Sequence, residues 1–246
     1  MKTVRAACVL HSNALEIRVS DQVEQLDVLI HEEGDGAAFY EKTHITQGMH
    51  DLLSEGIARL DGRSPQAIFH LKQAMGGGKT HLLVGLGLLA KNLELRTRIC
   101  ANAGITSAAP TTGETKTKEA AGIGYSTKGV LPARVAAFNG RNYPDHFFWG
   151  EIASQLGQGE LFKQYWMQGP KAPDEKAWLG LFASEEPTLI LLDELPPYFH
   201  NYAAQPIGAG TVGDIATSAF ANLLTAASKK KNVCVVISDQ IGRAHV

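Results

Sequence analysis

The chain has 246 residues, which corresponds to one large domain or to one domain with a small appendage. Apolar residues make up 44% of the sequence and charged residues 20%, proportions that allow a sizeable core and argue against intrinsic disorder. The formal net charge is -2 and the basic run at residues 229–231 is short. Direct binding to duplex DNA is therefore not supported, and nucleic acid is expected only as an indirect partner.

The cysteine content and the apolar runs indicate the compartment. Cys8, Cys100 and Cys234 are odd in number and far apart, which argues against a disulfide framework, and none belongs to a Cys-x-x-Cys metal motif. The apolar stretch in the first ten residues is too short for a signal peptide, and the longest apolar runs elsewhere are strand-sized. We therefore expect a protein of the reducing cytoplasm with no membrane partner.

The hydrophobic pattern predicts helices and strands that alternate along the chain. In chain order the predicted elements are a strand-helix lead-in over 15–30, a helix over 45–60, a strand over 67–71, one long helix over 80–95, a loop over 102–130, a strand over 135–138, short helices over 147–156 and 161–166, a strand over 189–192, a helix over 215–227 and a strand over 233–237. Because the strands are apolar on both faces and separated by helices, they predict an α/β fold with a parallel sheet covered on each side.

A glycine-rich loop follows the first of these core strands and precedes a helix, which is the context that a phosphate-binding loop requires. The residues expected to bind the phosphates of ATP are Met75, Gly76, Gly77, Gly78, Lys79, Thr80 and His81. Glycines let backbone N–H groups approach phosphate oxygens, and the helix N-terminus adds partial positive charge. We expect Lys79 to neutralise the outer phosphates, Thr80 to supply a hydroxyl to Mg²⁺, and His81 to contribute only its backbone N–H. Gln73 occupies a position where the usual loop pattern has glycine.

Two carboxylates follow the apolar strand over 189–192, at the end where open α/β sheets bind ligands. We expect Asp193 to hold Mg²⁺ through water and Glu194 to polarise the water that attacks the γ-phosphate. Hydrolysis is favoured over phosphate transfer to a small molecule, because nothing in the sequence identifies an acceptor pocket. A small-molecule kinase is the less favoured alternative.

Two polar residues, Ser238 and Asp239, end the last predicted strand, which should lie beside the Asp193 strand. Either could sense the γ-phosphate, and the pattern does not decide between them; Ser238 is taken as a catalytic candidate together with Glu194 and Lys79. His200 is interpreted as a loop histidine. Trp149 and Trp166 are interpreted as helix core rather than as platforms for nucleic-acid bases.

These motifs resemble the N-terminal portion of large bacterial P-loop ATPases of an uncharacterised AAA-like family, found in phage-exclusion loci of the BREX type and beside DNA methyltransferase genes. The blocks that carry the resemblance are Phe39-Tyr40 with Thr43, Gly76 to His81, Trp149 to Ala153, and Asp193-Glu194. The resemblance implies a P-loop NTPase three-layer sandwich of the additional-strand type, with one strand between the two strands that carry the ATP-binding motifs. It also implies a homo-oligomer or multi-subunit complex that acts in phage defence or DNA modification.

The sequence is expected to divide into a lead-in over 1–38, an incomplete ATPase core over 39–239 and a non-native tail over 240–246. Residues 241–246 read like a translated sequencing-library adapter, so we expect the natural chain to continue and to encode the lid, the arginine finger and the assembly regions. On its own this chain is expected to bind ATP and hydrolyse it weakly. The alternative from another class is a nucleotide-gated scaffold in which ATP orders a loop over 195–213 and recruits a partner.

Overall fold

The computed structural model describes residue 26 and residues 36–73, 78–107 and 130–240. The predicted lead-in over 15–30, except Leu26, lies outside the described residues, as do most of the predicted loop over 102–130 and the tail over 241–246. Of the predicted phosphate loop, Met75, Gly76 and Gly77 also lie outside them.

A four-stranded, fully parallel sheet forms the centre of the described chain. Numbered in chain order, its strands are β1 (Ile68–Gln73), β2 (Arg134–Asn139), β3 (Thr188–Asp193) and β6 (Val233–Gln240). Two short antiparallel strands, β4 (Pro206–Ile207) and β5 (Gly210–Thr211), form a separate hairpin. The order across the main sheet is β1-β6-β3-β2, so β6 lies between β1 and β3. The predicted α/β fold with a parallel sheet is confirmed.

Nine α-helices belong to the described part of the chain. They are α1 (Gly36–Lys42), α2 (Gln47–Leu60), α3 (Lys79–Lys91), α4 (Leu93–Ala103), α5 (Phe148–Gln155), α6 (Gly159–Phe162), α7 (Glu175–Leu181), α8 (Leu195–Ala203) and α9 (Val212–Lys229). The predicted boundary between lead-in and core, after residue 38, falls within α1. Among the described residues, no helix combines the length and apolarity needed to cross a bilayer.

Each face of the sheet carries its own core, which explains why the central part of β3 is apolar on both faces. On β3, Leu189 and Leu191 pack into a core with α2, α3 and α4, whereas Ile190 and Leu192 pack into a core with α5, α7, α8 and α9. All six residues of β3 are buried. Alternate side chains therefore point to opposite layers, and Asp193 follows the alternation onto the face of α3.

The long helix predicted over 80–95 is wrong, because α3 ends at Lys91 and α4 begins at Leu93. Asn92 separates them, and its side chain accepts a hydrogen bond from the Leu95 backbone N–H at 2.9 Å. Asparagine is a strong N-cap because this bond satisfies a donor that the helix leaves free. The apolar repeat continues across the cap, so periodicity alone does not detect the break.

The prediction of a loop over 195–213 is also wrong. The structure places α8 and the β4-β5 hairpin there, and His200 lies in the last turn of α8 rather than in a loop. Pro196 and Pro197 occupy the first turn of α8, where a missing N–H costs nothing.

The two tryptophans of the predicted helices differ in their surroundings. Trp149 lies on α5 and is fully buried, as expected. Trp166 follows a 3-10 turn, Lys163–Tyr165, and is half-buried. Its ring lies over Gly150, where an added Cβ would be 3.0 Å from the indole. The helix predicted over 161–166 is therefore replaced by the short α6 and this turn.

Arg59, on the last turn of α2, connects three separate segments of the fold. Its side chain is buried, with 3% relative exposure. The guanidinium donates hydrogen bonds to backbone carbonyl oxygens of Val233 at 2.8 Å, Ser64 at 3.1 Å, Pro65 at 3.0 Å, Ala227 at 3.1 Å and Lys230. These carbonyls belong to the connection before β1, the end of α9 and the start of β6. A planar group with five N–H donors suits this set of acceptors.

We expect Arg59→Met to lower the free energy of unfolding by about 3 kcal/mol, because it leaves several buried carbonyl oxygens without a donor. Denaturant unfolding followed by circular dichroism measures the loss. The control is Arg98→Met, which removes an exposed arginine from α4 and should change stability by less than about 0.5 kcal/mol. Equal stability of the two variants would contradict the role of Arg59.

Candidate functional site

Three neighbouring strands bring the candidate residues to one edge of the sheet. β1, β6 and β3 are parallel, so their carboxyl ends lie together, and Asp193 is the register partner of Ser238. Five residues separate the end of β1 from helix α3, which begins at Lys79. The carboxyl edge of a parallel sheet, beside the N-terminus of the following helix, is a general place for anionic ligands.

The glycine that precedes α3 has the backbone geometry that the triple glycine predicts. Of the three glycines, Gly78 is the one that is described. Gly78 adopts φ of +71°, in the left-handed region where glycine avoids the steric cost of a Cβ. The N-cap residue Gly78 has no side chain to cap the first turn, and no acidic residue lies in that turn. The turn therefore carries no negative charge of its own opposite the positive end of the helix dipole. Lys79 is buried, with 7% relative exposure.

A hydrogen bond joins this helix to β3. The Thr80 hydroxyl donates to Asp193 Oδ2 at 2.7 Å, across 113 residues of sequence. Asp193 is buried, and its Oδ1 accepts a hydrogen bond from the Glu194 backbone N–H at 3.0 Å. Both of these donors are uncharged. A buried carboxylate is costly unless its charge is compensated, so the pair is suited to a cation.

The side chains of Ser238 and Asp239 point to opposite faces of β6. The sequence pattern did not decide which of the two senses the γ-phosphate, whereas their positions in the structure differ. Ser238 is fully buried, and its Oγ has no hydrogen-bond partner among the described residues. Because Ser238 is the register partner of Asp193, both side chains point to the face of α3. Asp239 points to the other face, where its Oδ2 lies 2.5 Å from His70 Nε2 on β1.

Glu194 has an unusual backbone conformation. Its φ of +54° is the one positive value among the described non-glycine residues. Such strain persists where surrounding structure holds it, and it is concentrated at functional sites. The carboxylate is mostly buried, and its Oε2 lies 3.4 Å from a guanidinium nitrogen of Arg141. Glu194 is thus adjacent to Asp193 but is paired with a cation from the connection after β2.

Sequence reasoning missed Gly140 and Arg141, which follow β2. The Gly140 N–H donates to Asp193 O at 2.9 Å. A Cβ at Gly140 would lie 2.6 Å from both Glu194 O and Tyr198 Cβ, so only glycine fits there without displacing the backbone. The available signal was the polar run that follows the strand predicted over 135–138, because it ends at the same edge of the sheet.

His81 makes a side-chain contact that the sequence did not predict. Its ring stacks on Phe39, with centroids 4.4 Å apart, and its Nε2 lies 2.9 Å from Thr43 Oγ1. The Thr43 hydroxyl donates its own hydrogen to Phe39 O at 2.7 Å, so its oxygen accepts a hydrogen bond from the N–H at His81 Nε2. The side chain therefore fixes the end of α1 to the first turn of α3. Phe39 and Thr43, which belong to the resemblance, contact the first turn of α3 here.

The candidate metal ligands are the Thr80 hydroxyl and the Asp193 carboxylate. No group of three or more histidine, cysteine, aspartate or glutamate side chains that could hold a metal was found among the described residues. A site with one carboxylate and one hydroxyl suits Mg²⁺, which keeps several waters and takes few protein ligands. The fully buried Ser238 hydroxyl lies beside this pair and has no hydrogen-bond partner among the described residues. A ligand at this site can form the missing hydrogen bond.

Comparisons with known proteins place the chain in a family whose function is not known. Neither the curated proteins nor the solved structures contain a match to it. A family model described as the DUF499 N-terminal domain matches residues 12–244, which is nearly the whole chain. The expectation of an uncharacterised family is therefore confirmed, and the chain belongs to the DUF499 N-terminal domain family.

Proposed function

We propose that this chain binds the magnesium complex of ATP at the carboxyl edge of its sheet and hydrolyses it. The observation that carries the proposal is the hydrogen bond between Thr80 and Asp193. It connects the first turn of the helix after the triple glycine to the end of a buried strand. In a nucleotide site these two side chains are on the metal, and they must therefore lie within reach of one ion.

The fold type in this proposal is a P-loop NTPase of the additional-strand, AAA-like kind. The strand order supports it, since β6 separates β1, which leads into the glycine loop, from β3, which ends in Asp193. The backbone N–H groups of Met75 to His81 would surround the phosphates, and Lys79 would neutralise the outer ones.

In the proposed mechanism each residue has a separate task. Thr80 and Asp193 would hold Mg²⁺, which would supply positive charge to neutralise the phosphate oxygens. Glu194 orients a water and accepts its proton as that water attacks the γ-phosphorus, and the bond from this phosphorus to the β,γ-bridging oxygen breaks to release ADP. The Ser238 hydroxyl donates a hydrogen bond to the γ-phosphate. It is buried on the same face of the sheet as Asp193, and no acceptor for it lies among the described residues.

A nucleotide-gated scaffold with slow hydrolysis is the second candidate function. The observation that favours it is the pair between Glu194 and Arg141, because a base that is engaged by a guanidinium is not directed only at water. In this case ATP binding, rather than turnover, would recruit a partner. The recruiting segment cannot be a loop over 195–213 that ATP orders, since α8 and the β4-β5 hairpin are already formed.

The wider role is proposed from the resemblance given above. A phage-defence or DNA-modification complex, cytoplasmic and either homo-oligomeric or multi-subunit, would use ATP turnover to rearrange its parts. An arginine supplied by a neighbouring subunit accelerates such reactions by about 10³ to 10⁵. The chain alone would therefore turn over ATP slowly.

We expect Lys79→Ala to weaken ATP binding by about tenfold to a hundredfold, since one charge-assisted contact to phosphate contributes about 1.5–3 kcal/mol. Isothermal titration with ATP and Mg²⁺ measures the affinity. Lys72→Ala removes an exposed lysine from the same end of β1 and serves as the control. Unchanged affinity in Lys79→Ala would exclude the phosphate site.

We expect Glu194→Gln to bind ATP like the parent chain but to release phosphate at least about a hundredfold more slowly, because the amide cannot accept the proton from water. Phosphate release under single-turnover conditions gives the rate. The control, Glu160→Gln, removes a carboxylate that is 82% exposed. Full turnover by Glu194→Gln would show that Glu194 is not the base, and another residue would have to accept the proton.

Ser238→Ala separates a functional hydroxyl from a structural one. Because the buried Oγ has no described partner, its removal should leave the free energy of unfolding unchanged or raise it by up to about 1 kcal/mol. If Ser238 contacts the γ-phosphate, turnover should fall by about tenfold, the equivalent of one hydrogen bond. Thermal unfolding and phosphate release are the two measurements. Normal turnover in a stable variant would contradict the contact.

A further inference from the structure

The orientation of the first turn of α3 depends on side-chain contacts more than on its own backbone bonds. An α-helix leaves its first N–H groups without intrahelical acceptors, and in α3 the helical bonds begin with the Leu82 N–H, which donates to Gly78 O at 3.0 Å. Gly78 precedes the turn and belongs to the triple glycine, and glycine restricts the backbone less than any other residue. Contacts between the side chains of this turn and other elements are therefore needed to fix it.

Two successive residues of the turn contact different elements. Thr80 donates to Asp193 on β3, at the edge of the sheet. His81 lies about 100° further around the helix axis and contacts α1 and the residue that follows it. The turn is thus held from two directions, by β3 through Thr80 and by the end of α1 through His81.

The contact at the end of α1 uses both the ring of His81 and its Nε2. The imidazole stacks on Phe39, with the two ring planes 25° apart. Its Nε2–H donates to Thr43 Oγ1 at 2.9 Å, and the Thr43 hydroxyl in turn donates to Phe39 O. Thr43 directly follows α1, so its hydroxyl satisfies a carbonyl oxygen that the end of a helix leaves without a partner. One hydroxyl therefore terminates α1 and receives the hydrogen bond from α3.

Gly85 brings α1 close to the same side of α3. It follows His81 by four residues, and residues at this spacing share a helix face. A Cβ at Gly85 would lie 3.1 Å from Tyr40 Oη, which is tighter than ordinary van der Waals contact. The Tyr40 hydroxyl donates to Gly85 O at 2.8 Å. The end of α1 is therefore bonded to α3 at two points, to the first turn through His81 and to the second turn through Gly85.

We infer that His81 is a positioning residue of the proposed metal site, because its contacts with Phe39 and Thr43 hold the first turn of α3 where the Thr80 hydroxyl meets Asp193. The inference rests on the proposed function and gives the His81 side chain, and through it α1, a part in that function. The side chain acts through Thr80 and does not touch the ion itself. A rotation of the turn would withdraw Thr80 from the ion, and small displacements of a site residue have large effects.

The experiment compares Thr43→Val, which removes the hydroxyl at nearly constant shape, with Thr43→Ser, which keeps it. Isothermal titration measures ATP affinity in Mg²⁺ and in EDTA, and the ratio of the two affinities is the gain that the metal supplies. Thr43→Val should reduce this gain by about threefold to tenfold, the equivalent of one hydrogen bond. Thr43→Ser should keep the gain within about twofold of the parent value, because its hydroxyl can still accept from His81.

Tyr40→Phe is the matched control, since it removes the other hydrogen bond between α1 and α3. Burial raises the pKa of Tyr40, so in the parent chain the phenol stays protonated and keeps that bond. Tyr40→Phe and Thr43→Val should each lower Tm by about 2–4 °C, the shift expected for one hydrogen bond in a chain of this size. Thr43→Val alone should reduce the gain from Mg²⁺, because Gly85 lies beyond the turn that carries Thr80.

His81→Ala tests the residue itself. It should reduce the gain from Mg²⁺ at least as much as Thr43→Val does, and the double variant should lose no more than His81→Ala alone, because both changes break the same contact. An unchanged gain in folded Thr43→Val and His81→Ala, or an equal loss in Tyr40→Phe, would overturn the role of His81 and leave the metal site standing. A parent chain that does not bind ATP, or that binds it equally well in Mg²⁺ and in EDTA, would overturn the metal site and the inference together.

Discussion

The hydrogen bond from Thr80 to Asp193 is the contact on which the arrangement of this edge depends. It requires the first turn of α3 to lie over β6 and beside the end of β3, although 113 residues separate its two partners. The hydroxyl has one proton and two lone pairs. Because the Thr80 hydroxyl donates a hydrogen bond to Asp193, its lone pairs point away from the carboxylate. A cation can bind to these lone pairs. The same bond therefore reduces the cost of the buried Asp193 charge, and in the proposed site it would orient two oxygen ligands toward one ion.

The parallel register explains why the polar residues of this edge converge on one layer. Side chains alternate along β3 and β6, so Asp193 and Ser238, which are opposite each other, share the face of α3. A shift of β6 by one residue would place Asp239 there and move Ser238 to the face of α9. Such a shift would also turn Cys234 and Val236 out of one core and Val233, Val235 and Ile237 out of the other. The hydrophobic pattern of β6 thus places Ser238, rather than Asp239, on the same face of the sheet as Asp193.

Much of this architecture is predictable from local sequence, because strands that are buried on both faces are short apolar runs with clear ends. The strands over 67–71, 135–138, 189–192 and 233–237 are all present, although each extends by one to three residues at one end or both. Predictions failed where a single side chain, rather than a repeat, decides the structure. Asn92 ends one helix and caps the next, and the prolines of α8 begin a helix although they resemble loop residues. The significance of Gly140 depends on contacts with Glu194 and Tyr198 that only the paired strands β2 and β3 create.

The end of β2 also explains how the unusual backbone conformation of Glu194 is held. A positive φ costs a non-glycine residue about 1 kcal/mol or more. The structure offsets that cost with the Gly140 N–H bond to Asp193 O and with close packing of Gly140 on the Glu194 carbonyl. The Glu194 carboxylate is 15% exposed and lies 3.4 Å from Arg141, whose side chain is 58% exposed. In the proposed mechanism the carboxylate would have to turn toward the attacking water, while the backbone contacts would keep its Cα beside Asp193.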